Sequence, residues 1–492
     1  MNLPIYFYIL VIYLIVLFSV GVVVGWKRKI TSLEEWGTAG RSFNLLINYF
    51  TAHATQLSAL QYMGFVSFMY IFGFMAFHAH YILYMLTTSA FFVLFSVKIW
   101  RLGKKYGHMT PTDLLVHYYG QNRLLTYIVA GLLFLALIPY LQLQVTAAGY
   151  LFQIASGGSI PFWVGAVAIY ILVMIYTWIG GIRSVAYTDA IQGALLFFGL
   201  WFGGALIIWK FGGGIFNVFS TAAQQIPQKV IVSGYKGWDW LWIITWGIPV
   251  GFGWAAHAHM WLRNYTPKDE TTARFWPVLL LTNNIITGMI MVGVALSLSL
   301  AFPGQEAIAD KLFIIKLQEV LNPWVYGLIL AGALSAMLST VDSQVHALSL
   351  VIVRDFLEKS GIKLNEKMLV KVSRATVVIS MALGLTLAFA APGYLAWIGG
   401  YAASFGLILL PAIICALTAQ KWVTRTGVIA GILGGTSAMF ITSVGPLKNA
   451  GGIYFGFWGF VVDIILLCVV SLLTQDARPS EETVKAVKEI GW

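Results

Sequence analysis

Apolar runs long enough to cross a bilayer recur about thirteen times along this chain, and they constrain its fold more than any other feature. They cover roughly residues 4–25, 43–72, 74–100, 124–152, 160–180, 187–210, 238–262, 274–302, 323–353, 369–391, 393–418, 427–445 and 453–474. A hydrocarbon core about 30 Å thick needs about 20 such residues per helix. Between the runs there is too little charge for a soluble surface. Lys, Arg, Asp and Glu make up 10% of 492 residues, where a soluble domain carries about 25%. A large soluble enzyme, a nucleic-acid reader and a disordered chain are all excluded. The reading is an all-α polytopic membrane protein, not an enzyme. The first run has no basic residue ahead of it and exceeds a signal-peptide core, so it reads as a retained helix.

The net charge of +11 could suggest an acidic partner, but its distribution argues for topology. Lys27, Arg28 and Lys29 follow the first run. Basic residues favour the cytoplasmic side, which puts the N-terminus outside. Carried along the chain, this assignment places 24 of the 30 Lys and Arg residues inside. Lys210, Lys229, Lys236, Lys311, Lys316 and Lys448 remain outside. The C-terminus is then cytoplasmic, within a cell-membrane protein, and residues 475–492 read as a short charged helix. The lipid bilayer accounts for the charge. Neither a nucleic-acid partner nor an obligate protein partner is implied.

Two runs carry helix-breaking sequence. The second holds a polar island, Thr51-Ala52-His53-Ala54-Thr55-Gln56-Leu57-Ser58-Ala59-Leu60-Gln61. The seventh holds Gly247-Ile248-Pro249-Val250-Gly251-Phe252-Gly253. Glycine weakens a helix, and proline removes a backbone donor. Helices that unwind at mid-membrane free carbonyls for a ligand. The two runs lie five spans apart, as two inverted five-helix repeats would place them. The chain then divides into a leading helix and loop (1–42), a first repeat (43–210), a second repeat (211–418), and two trailing helices with a short tail (419–492). The alternative is that these glycines only let helices pack closely.

The ninth run concentrates hydroxyls. Ser335, Ser339, Asp342 and Ser343 share one helical face, with Thr340 beside it. Hydroxyls and carbonyls can cage a small hard cation without binding it irreversibly. They can equally bond back along their own helix. Asp342 favours function, because a carboxylate inside a membrane helix costs at least about 2.5–3.5 kcal/mol. Asp189, in the sixth run, is a second candidate, with an interfacial ion pair to Arg183 as its plainer alternative. Asp463 lacks polar company and reads as a packing residue.

The segment Gly180-Gly181-Ile182-Arg183-Ser184-Val185, followed by Thr188-Asp189 and Gln192, resembles the signature of the sodium:solute symporter family. This is the group of the proline, pantothenate, sialic acid and sodium–glucose symporters. Ala331-Gly332 through Ser339-Thr340 to Arg354-Asp355 is similar to the family's sodium-site helix. His259-Met260-Trp261-Leu262-Arg263 with Pro267-Lys268-Asp269-Glu270 is similar to its motif at the inner end of the seventh run. The resemblance covers about residues 5–475. It implies a leucine-transporter-type fold and a sodium ion as the coupling ligand. The implied ligands are the carbonyls of Ala54, Leu57 and Ala336 and the hydroxyls of Ser339 and Thr340. A second ion site in some members maps onto Asp189, Ser339, Asp342 and Ser343. Asp342 stands where members with that site have a hydroxyl. Gln56, Gln61, His80, Gln142 and His257 align with solute-facing positions, and Gln144 lies in a bordering run. Proline symporters have an Asp where Gln56 stands, which argues against a simple proline transporter.

Six of the eight histidines (His53, His78, His80, His257, His259 and His346) fall within or near the runs. Without metal-ligand spacing they read as bonded polar side chains or a pH-sensitive pocket. Cys415 and Cys468 read as buried, inert thiols. The functional expectation is sodium-coupled import of a small organic solute. A proton-coupled symporter of the same fold is the alternative, motivated by Asp189, Asp342 and the histidines. A solute sensor or channel is a third reading.

Overall fold

The computed structural model describes residues 3–27, 29–390 and 395–491. Arg28 lies outside the described residues, as do residues 391–394 at the junction of the tenth and eleventh runs. Among the described residues there is no strand, only two isolated bridges, Phe43 with Pro267 and Tyr235 with Trp238.

The helices that position the site are α1 (Ile5–Lys27), α2 (Leu45–Gln56), α3 (Phe65–Phe72), α4 (Leu86–Tyr106), α5 (Arg123–Ala155), α6 (Phe162–Phe197), α7 (Trp240–Ala255) and α8 (Ala258–Trp261). They continue as α9 (Glu270–Ala301), α10 (Pro323–Leu350), α11 (Glu366–Ala390), α12 (Leu395–Leu417), α13 (Arg425–Ser443) and α14 (Phe455–Leu473). Ten helices among the described residues are long and apolar enough to cross a membrane, against thirteen runs in the sequence. The second and seventh runs are broken into shorter pieces. The fifth and sixth form one 51-residue helical body, Phe162–Gly212. At 1.5 Å per residue that body is far longer than a bilayer is thick. It bends at Gly181, whose φ of +52° and ψ of −146° suit only glycine.

The polar island breaks as the sequence indicates. Asn44 caps the start of α2 by accepting from the Ile47 N–H at 3.0 Å. The helix ends at Leu57, with ψ of 88°, and helical structure resumes as a π-turn at Leu60–Gly64.

The seventh run breaks elsewhere than expected. α7 continues through Gly247, Pro249 and Gly251 to Ala255, and the chain extends only at His257, with ψ of 132°. Its glycines serve close packing. A Cβ on Gly251 would lie 2.5 Å from the Tyr84 carbonyl oxygen, and one on Gly253 would lie 2.1 Å from that of Ala403. Pro249 is buried inside α7, as membrane helices allow.

α10 forms the spine of the molecule. It packs against α1, α5, α6, α2 and α11, and every residue from Ile329 to Val351 is buried. α13 and α14 pair with one another and lean on α12. Two connections between the apolar runs also contain helices, Ile215–Gln225 and Ala309–Val320. Glu481–Glu489 forms the expected tail helix, capped by Ser480. Cys415 and Cys468 are free and half-buried rather than fully enclosed.

Candidate functional site

Where α2 ends, α10 supplies hydroxyls. The Ser339 hydroxyl lies 2.8 Å from the Ala54 carbonyl oxygen and 2.8 Å from that of Ser335. Thr340 Oγ1 lies 2.9 Å from the Ala336 carbonyl and 3.4 Å from that of Thr55. Four of the five expected sodium ligands, Ala54, Ala336, Ser339 and Thr340, therefore meet directly. The fifth, Leu57, caps the C-terminal end of α2 and is fully buried. Ser339 and Thr340, adjacent on α10, reach two successive carbonyls, Ala54 and Thr55, at the end of a helix that stops.

The second group of residues is arranged around a side chain that sequence reasoning counted as a cytoplasmic loop cation. Arg263 follows α8 and is 0% exposed. Its Nη2 donates to Thr51 Oγ1 at 3.0 Å, Thr55 Oγ1 at 2.7 Å and Ser343 Oγ at 2.5 Å. It lies 3.3 Å from Asp189 Oδ2. Thr51 donates its hydroxyl to that same carboxylate oxygen. Asp189 therefore pairs with Arg263 and not with Arg183. The latter binds Glu35 Oε1 at 2.7 Å and the Ala39 carbonyl at 2.8 Å.

Asp342 faces a different neighbourhood. Its Oδ2 accepts from the Tyr176 hydroxyl at 2.7 Å, close to the Tyr13–Ser335 hydrogen bond of 2.7 Å. Thr51, Thr55 and Arg263 were the residues whose roles the sequence left unassigned. The i,i+4 spacing of the two threonines within the polar island was the available signal.

The expected solute-facing residues are all buried. The Gln56 Oε1 accepts from Asn284 Nδ2 at 3.1 Å. Gln61 folds back, its Oε1 accepting the Ser58 N–H at 2.5 Å, and Gln144 Oε1 accepts the Ala59 N–H at 3.1 Å. These two glutamines satisfy backbone donors released by the break. His80 donates from Nδ1 to the Ala76 carbonyl at 2.8 Å, and its Nε2 has no protein partner. Its ring packs 4.2 Å from Trp246 and 4.4 Å from Phe65. His257 donates from Nε2 to the Ala402 carbonyl at 3.1 Å and stacks near Trp254 at 4.4 Å. Gln142 is buried on α5, its carbonyl accepting from the Thr146 hydroxyl. Trp238 lies over Phe72 at 4.9 Å and His80 at 6.3 Å. Of the remaining histidines in the apolar runs, His78 bonds the Phe74 carbonyl at 2.7 Å, while His259 Nδ1 is buried without a partner. His53 bonds Asn283 at 2.9 Å, and His346 bonds the Trp36 carbonyl at 2.8 Å.

A broken helix braced by hydroxyls of a buried helix defines a class of secondary transporter. The sequence model of the Sodium:solute symporter family matches residues 36–435, and the chain belongs to that family. It is a sodium-coupled symporter and not an enzyme. The sodium/proline symporter of Staphylococcus aureus (strain USA300 / TCH1516) is 25% identical, with 96% of this chain and 93% of that protein aligned. Among solved structures, a Na+-coupled sialic acid symporter in a substrate-bound outward-open state gives a TM-score of 0.78 at 18% identity. It covers 95% of this chain and 97% of that one. Mhp1, a nucleobase-cation-symport-1 family transporter closed on bromovinylhydantoin, gives 0.57 at 12% identity, over 94% and 99% of the chains. These neighbours share the leucine-transporter-type fold.

Proposed function

We propose that this symporter imports a small organic solute by alternating access, with sodium held between the end of α2 and α10. The carrying observation is the approach of Ser339 and Thr340 to the carbonyls of Ala54 and Thr55. Together with the carbonyls of Leu57 and Ala336, these hydroxyls give a neutral oxygen set suited to a small monovalent ion. Such a site binds without an overpowering charge, so release stays feasible. Sodium entering first braces α2 against α10 and shapes the adjoining walls for solute.

Gln56, Gln61, His80, Gln142 and His257 are the solute-facing residues on this reading. Gln61 Nε2, His80 Nε2 and His257 Nδ1 have no protein partner, which leaves both donors and acceptors for a polar, weakly charged solute. Gln56 in place of a carboxylate points away from proline. The N-terminus lies outside and the C-terminus in the cytoplasm, by the basic-residue distribution. The two breaks and the bend at Gly181 support thirteen crossings, with repeats over 43–210 and 211–418. The driving force is adequate. One charge crossing 100 mV is worth about 2.3 kcal/mol, or about fifty-fold accumulation at about 1.4 kcal/mol per tenfold.

The test begins with a thermal-shift screen of metabolites in NaCl and in KCl. A hit is then followed into proteoliposomes with and without an inward sodium gradient. Sodium-dependent accumulation is expected. Uptake that ignores sodium, or follows a pH gradient alone, overturns the proposal.

A further inference from the structure

Two of the four residues assigned by resemblance to a second ion, Asp189 and Ser343, already face a cation. Four oxygens, from Thr51, Thr55, Asp189 and Ser343, lie within 3.3 Å of Arg263 Nη2. A guanidinium stays charged in proteins, and one terminal nitrogen carries only two hydrogens. Four oxygens around one such nitrogen exceed what its hydrogen bonds require. The arrangement is the oxygen cage of a monovalent cation with a nitrogen at its centre.

An ordinary buried Arg–Asp pair is bidentate. Here Asp189 contributes one oxygen at 3.3 Å, its Oδ1 has no partner, and Arg263 Nε has none either. The guanidinium is turned toward the hydroxyls of α2 and α10 at the expense of a better ion pair. All five residues are 0% exposed.

We propose that the Arg263 guanidinium is a tethered cation standing in the place of a second coupling ion, so that each cycle moves a single sodium. The proposal rests on the Ser339–Thr340 reading for the first ion. Thr55 links the two positions. Its carbonyl is 3.4 Å from Thr340 Oγ1, while its hydroxyl accepts from Arg263 and contacts Ser343 Oγ at 3.0 Å. A second sodium about 4 Å from the guanidinium would lose about a thousandfold in affinity at an effective dielectric of about 20. Four oxygens at that position, from Thr51, Thr55, Asp189 and Ser343, are also already engaged by the guanidinium. The fixed charge keeps the inner part of α2 tied to α6 and α10 without waiting for an ion.

The test counts radioactive sodium bound to the purified full chain at constant ionic strength, with KCl as balance. Wild type is expected to bind one sodium per chain with a Hill coefficient near 1. Arg263→Gln is expected to bind two, with a Hill coefficient rising toward 2. Millimolar guanidinium chloride should displace only the added ion. Arg263→Lys, which keeps the charge, should bind one. Two sodium ions per wild-type chain overturn the proposal even if Arg263→Gln fails to fold. One or none in a folded Arg263→Gln, with no response to guanidinium, overturns it too. Ser339→Ala/Thr340→Ala separates the two readings. A retained wild-type ion there overturns the first-ion site, while the gain in Arg263→Gln still reports on Arg263.

Discussion

Arg263 and Asp189 form an ion pair, Nη2 to Oδ2 3.3 Å, in which neither side chain has any accessible surface. The pair joins the segment after α8 to the second half of α6, and through Thr51 and Ser343 it also holds α2 and α10. One guanidinium thus ties the two broken helices to the two helices that flank them.

Removing one partner of such a pair leaves a buried uncompensated charge. In potassium chloride, Arg263→Ala should lose about 3–5 kcal/mol of stability. The double variant Arg263→Ala/Asp189→Ala should lose less than the sum of the two singles. Thermal unfolding in detergent measures this. Strict additivity would contradict a direct coupling.

The glycines of α7 are assigned here to packing. Gly253→Ala puts a Cβ 2.1 Å from the Ala403 carbonyl oxygen and should cost about 1–3 kcal/mol by overpacking. Gly131→Ala, with nothing within 4 Å of its Cβ, should be neutral or slightly stabilising. Unfolding of both variants checks the contrast. A tolerated Gly253→Ala would mean that α7 is looser than its contacts with α12 imply.

A pH dependence follows from Asp113, near the start of the short helix Pro111–Tyr119. Burial by itself would raise its carboxyl pKa. Lys359 at 2.8 Å and Arg354 at 3.3 Å outweigh that and hold it below the usual range. A depressed folded pKa stabilises the fold at pH above the ordinary carboxylate value of about 3.9. That contribution is lost as pH falls below this value and through the folded pKa. Asp113→Asn should therefore be less stable than wild type by about 1–3 kcal/mol near neutral pH. The difference should narrow below about pH 4. A gap independent of pH would show that its side-chain charge is irrelevant.

Much of this fold and site is legible in the sequence. Residues 51–61 announced a break because three hydroxyls, two glutamines and a histidine interrupt an apolar run, and α2 does stop at Leu57. The ninth-run hydroxyls were found by helical spacing, which the buried α10 preserves. The break in the seventh run was misplaced. Glycine and proline mark both weak helices and close helix contacts, and only the positions of Tyr84 and Ala403 separate these meanings. Arg263 was missed because charge near a span end suggests a loop. Its burial depends on Asp189, 74 residues away, and on Thr51, 212 away, and no local pattern encodes that meeting. The Arg183–Asp189 pairing failed for the same reason, since Glu35 is the nearer partner in space.

The most direct measurement is radioactive sodium binding to purified wild type and to Ser339→Ala/Thr340→Ala, with the thermal stability of both in KCl as control. Two oxygens that contact an ion are each worth about 1.5–3 kcal/mol, so half-saturation should move to at least about tenfold higher sodium. Stability in KCl should change little. Equal sodium affinity in the two proteins would contradict a sodium site between α2 and α10.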